Sequence, residues 1–85
     1  MRYVYILYSK HLDKFYVGFT KDLRQRLNEH KCKGVYTTRR MEGWKFVYCE
    51  ICISERDARI REKQLKTGFG RGYLRRRLKN YLANV

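Results

Sequence analysis

Residues 2–8 alternate along a strand, yet both phases of the alternation are apolar: Tyr3, Tyr5 and Leu7 fall on one face, Val4, Ile6 and Tyr8 on the other. A strand apolar on both sides belongs inside a sheet. The polar stretch Ser9-Lys10-His11-Leu12-Asp13-Lys14 reads as a turn, and the aromatic and β-branched run over residues 14–19 completes a β-hairpin. Thr20 is placed to cap a helix running to about Cys32, with Gly34 as its stop. Residues 34–43 carry no period and read as a basic loop. Residues 44–53 form a third strand by the same aromatic and β-branched content. Ser54-Glu55-Arg56-Asp57 then reads as a capping box with Asp in place of Glu, opening a helix that ends near Gly68. Gly68, Gly70 and Gly72 suggest a flexible turn, followed by a helix over 71–83 with Leu74, Leu78, Tyr81 and Leu82 at helical spacing. The order β-β-α-β-α-α predicts an α/β domain: a small, mainly antiparallel, three-stranded sheet flanked by helices.

Length and charge narrow the picture. A chain of 85 residues is expected to form one domain over residues 1–85, with one modest core. Its 21 Lys and Arg against 8 Asp and Glu give a formal charge of +13, so nucleic acid is the leading partner. Charge alone would equally suit a ribosome-associated protein without chemistry. No apolar stretch approaches the ~20 residues needed to span a bilayer, and no signal-peptide core follows Met1. A soluble, cytoplasmic protein with no membrane partner is therefore expected, its oligomeric state left open. Cys32, Cys49 and Cys52 are odd in number, which suits free thiols in a reducing compartment. Cys49 and Cys52 are spaced C-x-x-C, but within a strand residues three apart face opposite ways, which argues against a shared zinc site.

The candidate chemistry begins with two triplets, Tyr3-Val4-Tyr5 and Tyr16-Val17-Gly18, one per hairpin strand, followed by Arg26 and His30 on the next helix. Leu23 and Leu27 share a stripe of that helix, and Arg26 and His30 lie beside it, bordering the core. A guanidinium so placed could make two parallel hydrogen bonds to a phosphate, or be an ordinary solvated arginine. Tyr5 and Tyr16 read either as core aromatics or as proton relays, since a phenol with a pKa near 10 is a poor base unless a cation such as Arg26 lowers it. Gly18 would allow close backbone approach to a phosphate, or simply a turn. His30 titrates in a useful range; His11, in the turn, is incidental. Glu62 shares a helix arc with Ala58 and Leu65, and a carboxylate on an apolar face needs a cation. Lys66 at i+4 could be that partner, or a divalent metal could. From Arg56 to Lys79 ten basic residues face only Asp57 and Glu62, with Phe69 and Tyr73 among them. Lys63, Lys66, Arg71, Arg75, Arg76, Arg77 and Lys79 are thus candidate phosphate contacts.

The two triplets, Thr20-Lys21-Asp22-Leu23, Arg26 and Glu29-His30 resemble the GIY-YIG nucleases, above all small stand-alone members and more distantly the N-terminal nuclease domain of the DNA-repair excinuclease. Tyr3 stands where the family name has its first glycine, Phe19 where the excinuclease domain has a lysine, and Leu74 where the spacing would put its late asparagine. The resemblance implies a three-stranded antiparallel sheet flanked by helices and a metal-dependent endonuclease. By the same resemblance Tyr16 would be the base or relay that activates water, and Tyr5 would organise the site. Arg26 would be the catalytic arginine, His30 a relay or phosphate ligand, and Glu62 the ligand of a single Mg²⁺ or Mn²⁺. The expected substrate is DNA, recognised weakly or by its structure, in repair or processing. The rival reading is a nucleic-acid-binding module that keeps the fold without efficient turnover.

Overall fold

The computed structural model describes residues 1–32 and 43–85, the side chains of residues 30–32 excepted. The elements are β1 (Arg2–Ser9), β2 (Lys14–Thr20), α1 (Leu23–Cys32), β3 (Trp44–Cys52), α2 (Glu55–Leu65), α3 (Gly68–Arg77) and α4 (Lys79–Ala83). The sheet is antiparallel with order β2-β1-β3, so the strand apolar on both faces is the central one. The Gly34 stop and the basic loop, Gly43 apart, lie outside the described residues.

The two faces of β1 have different fates. Val4 and Ile6 are fully buried and pack with Val17 of β2, Ala58 and Leu65 of α2 and Leu74 of α3. Fully burying an aliphatic side chain contributes about 1.5–3 kcal/mol, so this cluster is the main adhesive between sheet and helices. On the opposite face the cross-strand pairs are Tyr3 with Thr20, Tyr5 with Gly18 and Leu7 with Tyr16. The pairing of β1 with β3 skips Val47: Ile6 stands opposite Tyr48, but Leu7 opposite Phe46. This bulge sends Phe46 to the Tyr5 face and leaves Tyr48 on the core face, an outcome that strict alternation cannot produce.

Three boundaries differ from the sequence reading, each for a local reason. Asp22, not Thr20, caps α1: its carboxylate accepts from the Gln25 N–H at 3.0 Å, while the Thr20 hydroxyl accepts from the Asp22 N–H at 3.1 Å. The glycine trio is not a flexible turn but the start of α3, capped by Thr67, whose hydroxyl accepts from the Gly70 N–H. Gly70 is required there because a Cβ would run into the backbone of Leu65. Finally, the helix expected over 71–83 is divided at Leu78, which leaves helical geometry between α3 and α4. The Ser54 cap stands as read, its side chain accepting from the Asp57 N–H.

On the core side a polar network ties β3 to the helices. Arg61 of α2 donates to both oxygens of Glu50, at 2.8 and 3.0 Å, and the Tyr48 hydroxyl donates to Glu50 and meets the Tyr73 hydroxyl. Burial alone would push the Glu50 carboxyl up, but these hydrogen bonds outweigh it and hold the group below its ordinary value.

Candidate active site

Tyr5 is the hub of the face that α2 and α3 leave uncovered. Its side chain is only 5% exposed, lying between Phe46 at 5.3 Å and Tyr16 at 6.4 Å, centroid to centroid. Gly18 sits directly across the strand pair, and a Cβ there would overlap the Tyr5 ring. The glycine of the second triplet is therefore the floor on which the tyrosine of the first lies. Burial pushes the Tyr5 hydroxyl up to about 12; Arg26 opposes the shift, and Tyr16 and Glu29 add to it. At working pH Tyr5 is a protonated hydrogen-bond donor and not a base.

Arg26 and Glu29, both on α1, are near enough to act on the Tyr5 hydroxyl by charge. The Arg26 guanidinium stands 3.6 Å from Glu29 Oε2, beyond hydrogen-bonding distance, and among the described residues both Arg26 Nε and Glu29 Oε2 are buried without a hydrogen-bond partner. Each such orphan costs about 1–3 kcal/mol. His30 follows in the same helix, but its side chain lies outside the described residues.

Tyr16 lies at the open edge of β2, 37% exposed, so its hydroxyl is within reach of a large substrate. Beside it runs a cleft of about 250 Å³ lined by Phe15, Tyr16, Val17, Leu65, Lys66 and Arg71. Glu62 borders this cleft through Lys66, which donates to Glu62 Oε2 at 3.1 Å while Arg59 donates to Oε1 at 3.3 Å. The Glu62 side chain is 14% exposed, so the apolar-face reading holds, and the i+4 partner is in place. Arg59 also stacks its guanidinium 3.7 Å from the centre of the Phe19 ring, putting a cation beside the position where the excinuclease domain has a lysine. Leu74, at the spacing of the late asparagine, is fully buried in the core and offers the site nothing.

The donor set limits which divalent ion the site could hold. Among the described residues no cluster of three His, Cys, Asp or Glu exists, so a closed site such as structural zinc requires has no basis there. A lone carboxylate suits Mg²⁺ or Mn²⁺, which keep most of their shell as water and phosphate oxygens. Glu62 already holds two cationic groups, of which Lys66 is half exposed. Glu62 fits the ion as a single anchoring ligand.

The remaining candidates scatter around the helices. Lys66 and Arg71 line the cleft. Arg75 is spent on the hairpin turn, donating to the Asp13 carboxylate at 3.1 Å, and Tyr8 donates to the same carboxylate at 2.6 Å. Arg76 is exposed, Arg77 lies over the Tyr48 ring, and Lys63 and Lys79 are exposed. The three consecutive arginines thus point three ways rather than forming one surface. Glu29, quoted in the motif but given no role by the sequence reading, is the addition; its signal was its place at i+3 from Arg26, on the half-buried side of α1.

Known proteins bear on this arrangement. The chain matches the family model of the GIY-YIG catalytic domain over residues 1–74. No curated protein matches it. Among solved structures it is similar to the solution NMR structure of the UPF0213 protein BH0048 from Bacillus halodurans, with 32% identity and a TM-score of 0.49, covering 98% of this chain and 83% of that one. The family match takes in both tyrosine triplets, Arg26, His30 and Glu62. The chain belongs to the GIY-YIG family, whose members are nucleases.

Proposed function

We propose that this chain is a metal-dependent endonuclease that hydrolyses DNA phosphodiesters, working as one unit over residues 1–85. The observation that carries the reading is the pairing of the Tyr5 and Tyr16 rings 6.4 Å apart, with Arg26 near enough to act on Tyr5 by charge and its buried Nε without a hydrogen-bond partner among the described residues. Arg26 stabilises the extra negative charge that gathers on the phosphate oxygens as water attacks. Tyr16, at the accessible edge, holds the attacking water and relays its proton. Tyr5, protonated, orients Tyr16, and His30 serves the same relay. Glu29 holds the guanidinium in line. Mg²⁺ or Mn²⁺ anchored by Glu62 would supply positive charge that polarises the scissile phosphate. Lys66 and Arg71 seat the strand along the cleft beside Tyr16, with Lys63 and the arginines of α3 steering the polyanion. Gly18 belongs to this set as the support for Tyr5.

The binding-module reading draws on one observation: both Glu62 oxygens already have cationic partners. Glu62→Gln separates the two readings, because it keeps the shape and removes the charge. Cleavage of labelled DNA with Mg²⁺ or Mn²⁺ should fall by at least ~10²-fold, and metal-free DNA binding should hold or tighten. If the variant cuts as well as the parent, Glu62 is only a helix-face ion pair; if the parent cuts no duplex, nicked, branched or single-stranded substrate with either ion, the module reading stands.

A further inference from the structure

Phe69 is 61% exposed in the first turn of α3, in a chain whose other three phenylalanines are at least partly covered. Among the described residues its ring neighbour is Tyr73, four residues on, with centroids 6.5 Å apart and ring planes 25° from parallel. An i,i+4 aromatic pair stabilises a helix only marginally, so helix stability is a weak reason to leave a phenyl ring in water. Tyr73 is itself fixed: its hydroxyl meets that of Tyr48 at 3.2 Å, and the Arg61 guanidinium lies 4.7 Å from the centre of its ring. Phe69 thus has an aromatic neighbour fixed on one side and is otherwise exposed among the described residues.

The same side of α3 continues through Gly72 and Arg76, at i+3 and i+7 from Phe69. Gly72 has no side chain to obstruct a flat ligand, and Arg76 folds back over it, one guanidinium nitrogen lying 3.4 Å from where a Cβ would stand. Arg76 has no carboxylate partner among the described residues, and no acidic residue occurs anywhere from Lys63 to Val85. An exposed apolar ring, a glycine with no side chain and, over it, a guanidinium with no carboxylate partner among the described residues match one nucleotide of a single strand: base on Phe69, phosphate on Arg76. A paired base in a duplex has its faces covered by its neighbours and cannot use the ring.

We propose that Phe69, Gly72 and Arg76 form a stacking platform for an unpaired base, so that this protein selects nucleic acid carrying a single-stranded segment. This deepens the nucleic-acid reading above and rests on it, but not on catalysis. The test is metal-free fluorescence anisotropy at one fixed salt concentration, with a labelled single-stranded DNA of about 12 nucleotides and the matching duplex. Phe69→Ala should weaken single-strand binding about 10-fold or more and leave duplex binding within about 2-fold, while Phe69→Trp retains single-strand affinity. Thermal melting of each variant checks that α3 remains folded. Unchanged single-strand affinity in Phe69→Ala, or an equal loss on both probes with the fold intact, overturns the platform. Failure of the parent to cleave would remove the nuclease reading and leave this result standing. Cleavage by the parent with Phe69→Ala binding unchanged would do the opposite.

Discussion

The two faces of the sheet each carry an arginine–carboxylate pair, and the pairs are built to opposite standards. On the core side Arg61 and Glu50 meet in two hydrogen bonds, with Tyr48 and Tyr73 completing the network. On the other side Arg26 and Glu29 stop 3.6 Å apart, with a buried donor and a buried acceptor left over. Full satisfaction rigidifies a fold, whereas incomplete satisfaction leaves polarity in reserve for a ligand. The first pair belongs to stability and the second to the proposed chemistry. Substitutions in these two pairs should therefore divide, one acting on stability and the other on rate.

The largest expected effect comes from the unsatisfied pair. Arg26→Lys keeps the charge but loses the planar fork, so single-turnover cleavage should drop by ~10²–10³-fold with DNA affinity and melting temperature nearly unchanged. A large loss of stability instead would mean that Arg26 is a structural group and that the comparison of faces is misdrawn. A finer break uses two adjacent residues of β2 that point opposite ways. Val17→Ala removes core volume and should cost roughly 2 kcal/mol of stability while leaving the rate of the folded protein within about 3-fold. Gly18→Ala drives Tyr5 off its floor and should slow cleavage by at least ~10-fold, out of proportion to its effect on melting. Equal effects of the two on rate and on melting would show that the faces are mechanically one.

The smallest effect sharpens the stability side. Glu50→Gln breaks the charge-assisted network, and because about a fifth of each partner's side chain is still exposed, water screening holds the loss to about 1–2 kcal/mol. For a chain of this size that corresponds to a fall of about 5–15 °C in melting temperature. Glu50 is held below its ordinary value of 4.5, so its stabilising contribution is complete above that pH and disappears as pH falls through the lowered value. The gap between parent and variant, measured by melting across pH 7 to 3, should close on the acid side. A gap that stays constant would assign the effect to packing rather than to charge.

Much of this division was legible in the sequence, because side-chain alternation and helical spacing are local. The two-sided apolar run in β1 announced a central strand, and the two triplets put Tyr5 and Tyr16 on neighbouring strands, where their rings lie 6.4 Å apart. What escaped reading depends on contacts between distant segments. Gly68, Gly70 and Gly72 are poor helix formers and read as a turn, but the close approach of Gly70 to Leu65 overrides propensity. Thr20 and Asp22 are both good caps, and only the end of β2 at Thr20 decides between them. Glu29 stood in the Glu29-His30 motif without a role, and its pairing with Arg26 near Tyr5 emerges only in the fold.

The bulge at Val47 has a consequence for the length of the chain rather than for its composition. Residues on either side of Val47 are in step with β1, and Val47 alone has no partner in the ladder. Loss of Val47 would remove one side chain and leave every pairing of β3 as it stands. Loss of any other residue of β3 would turn over the side chains between it and the bulge, exchanging the inner face of the strand for the outer. Single-residue deletions in this strand are thus judged by position and not by residue type, and β3 has one place where the chain can shorten without losing its count.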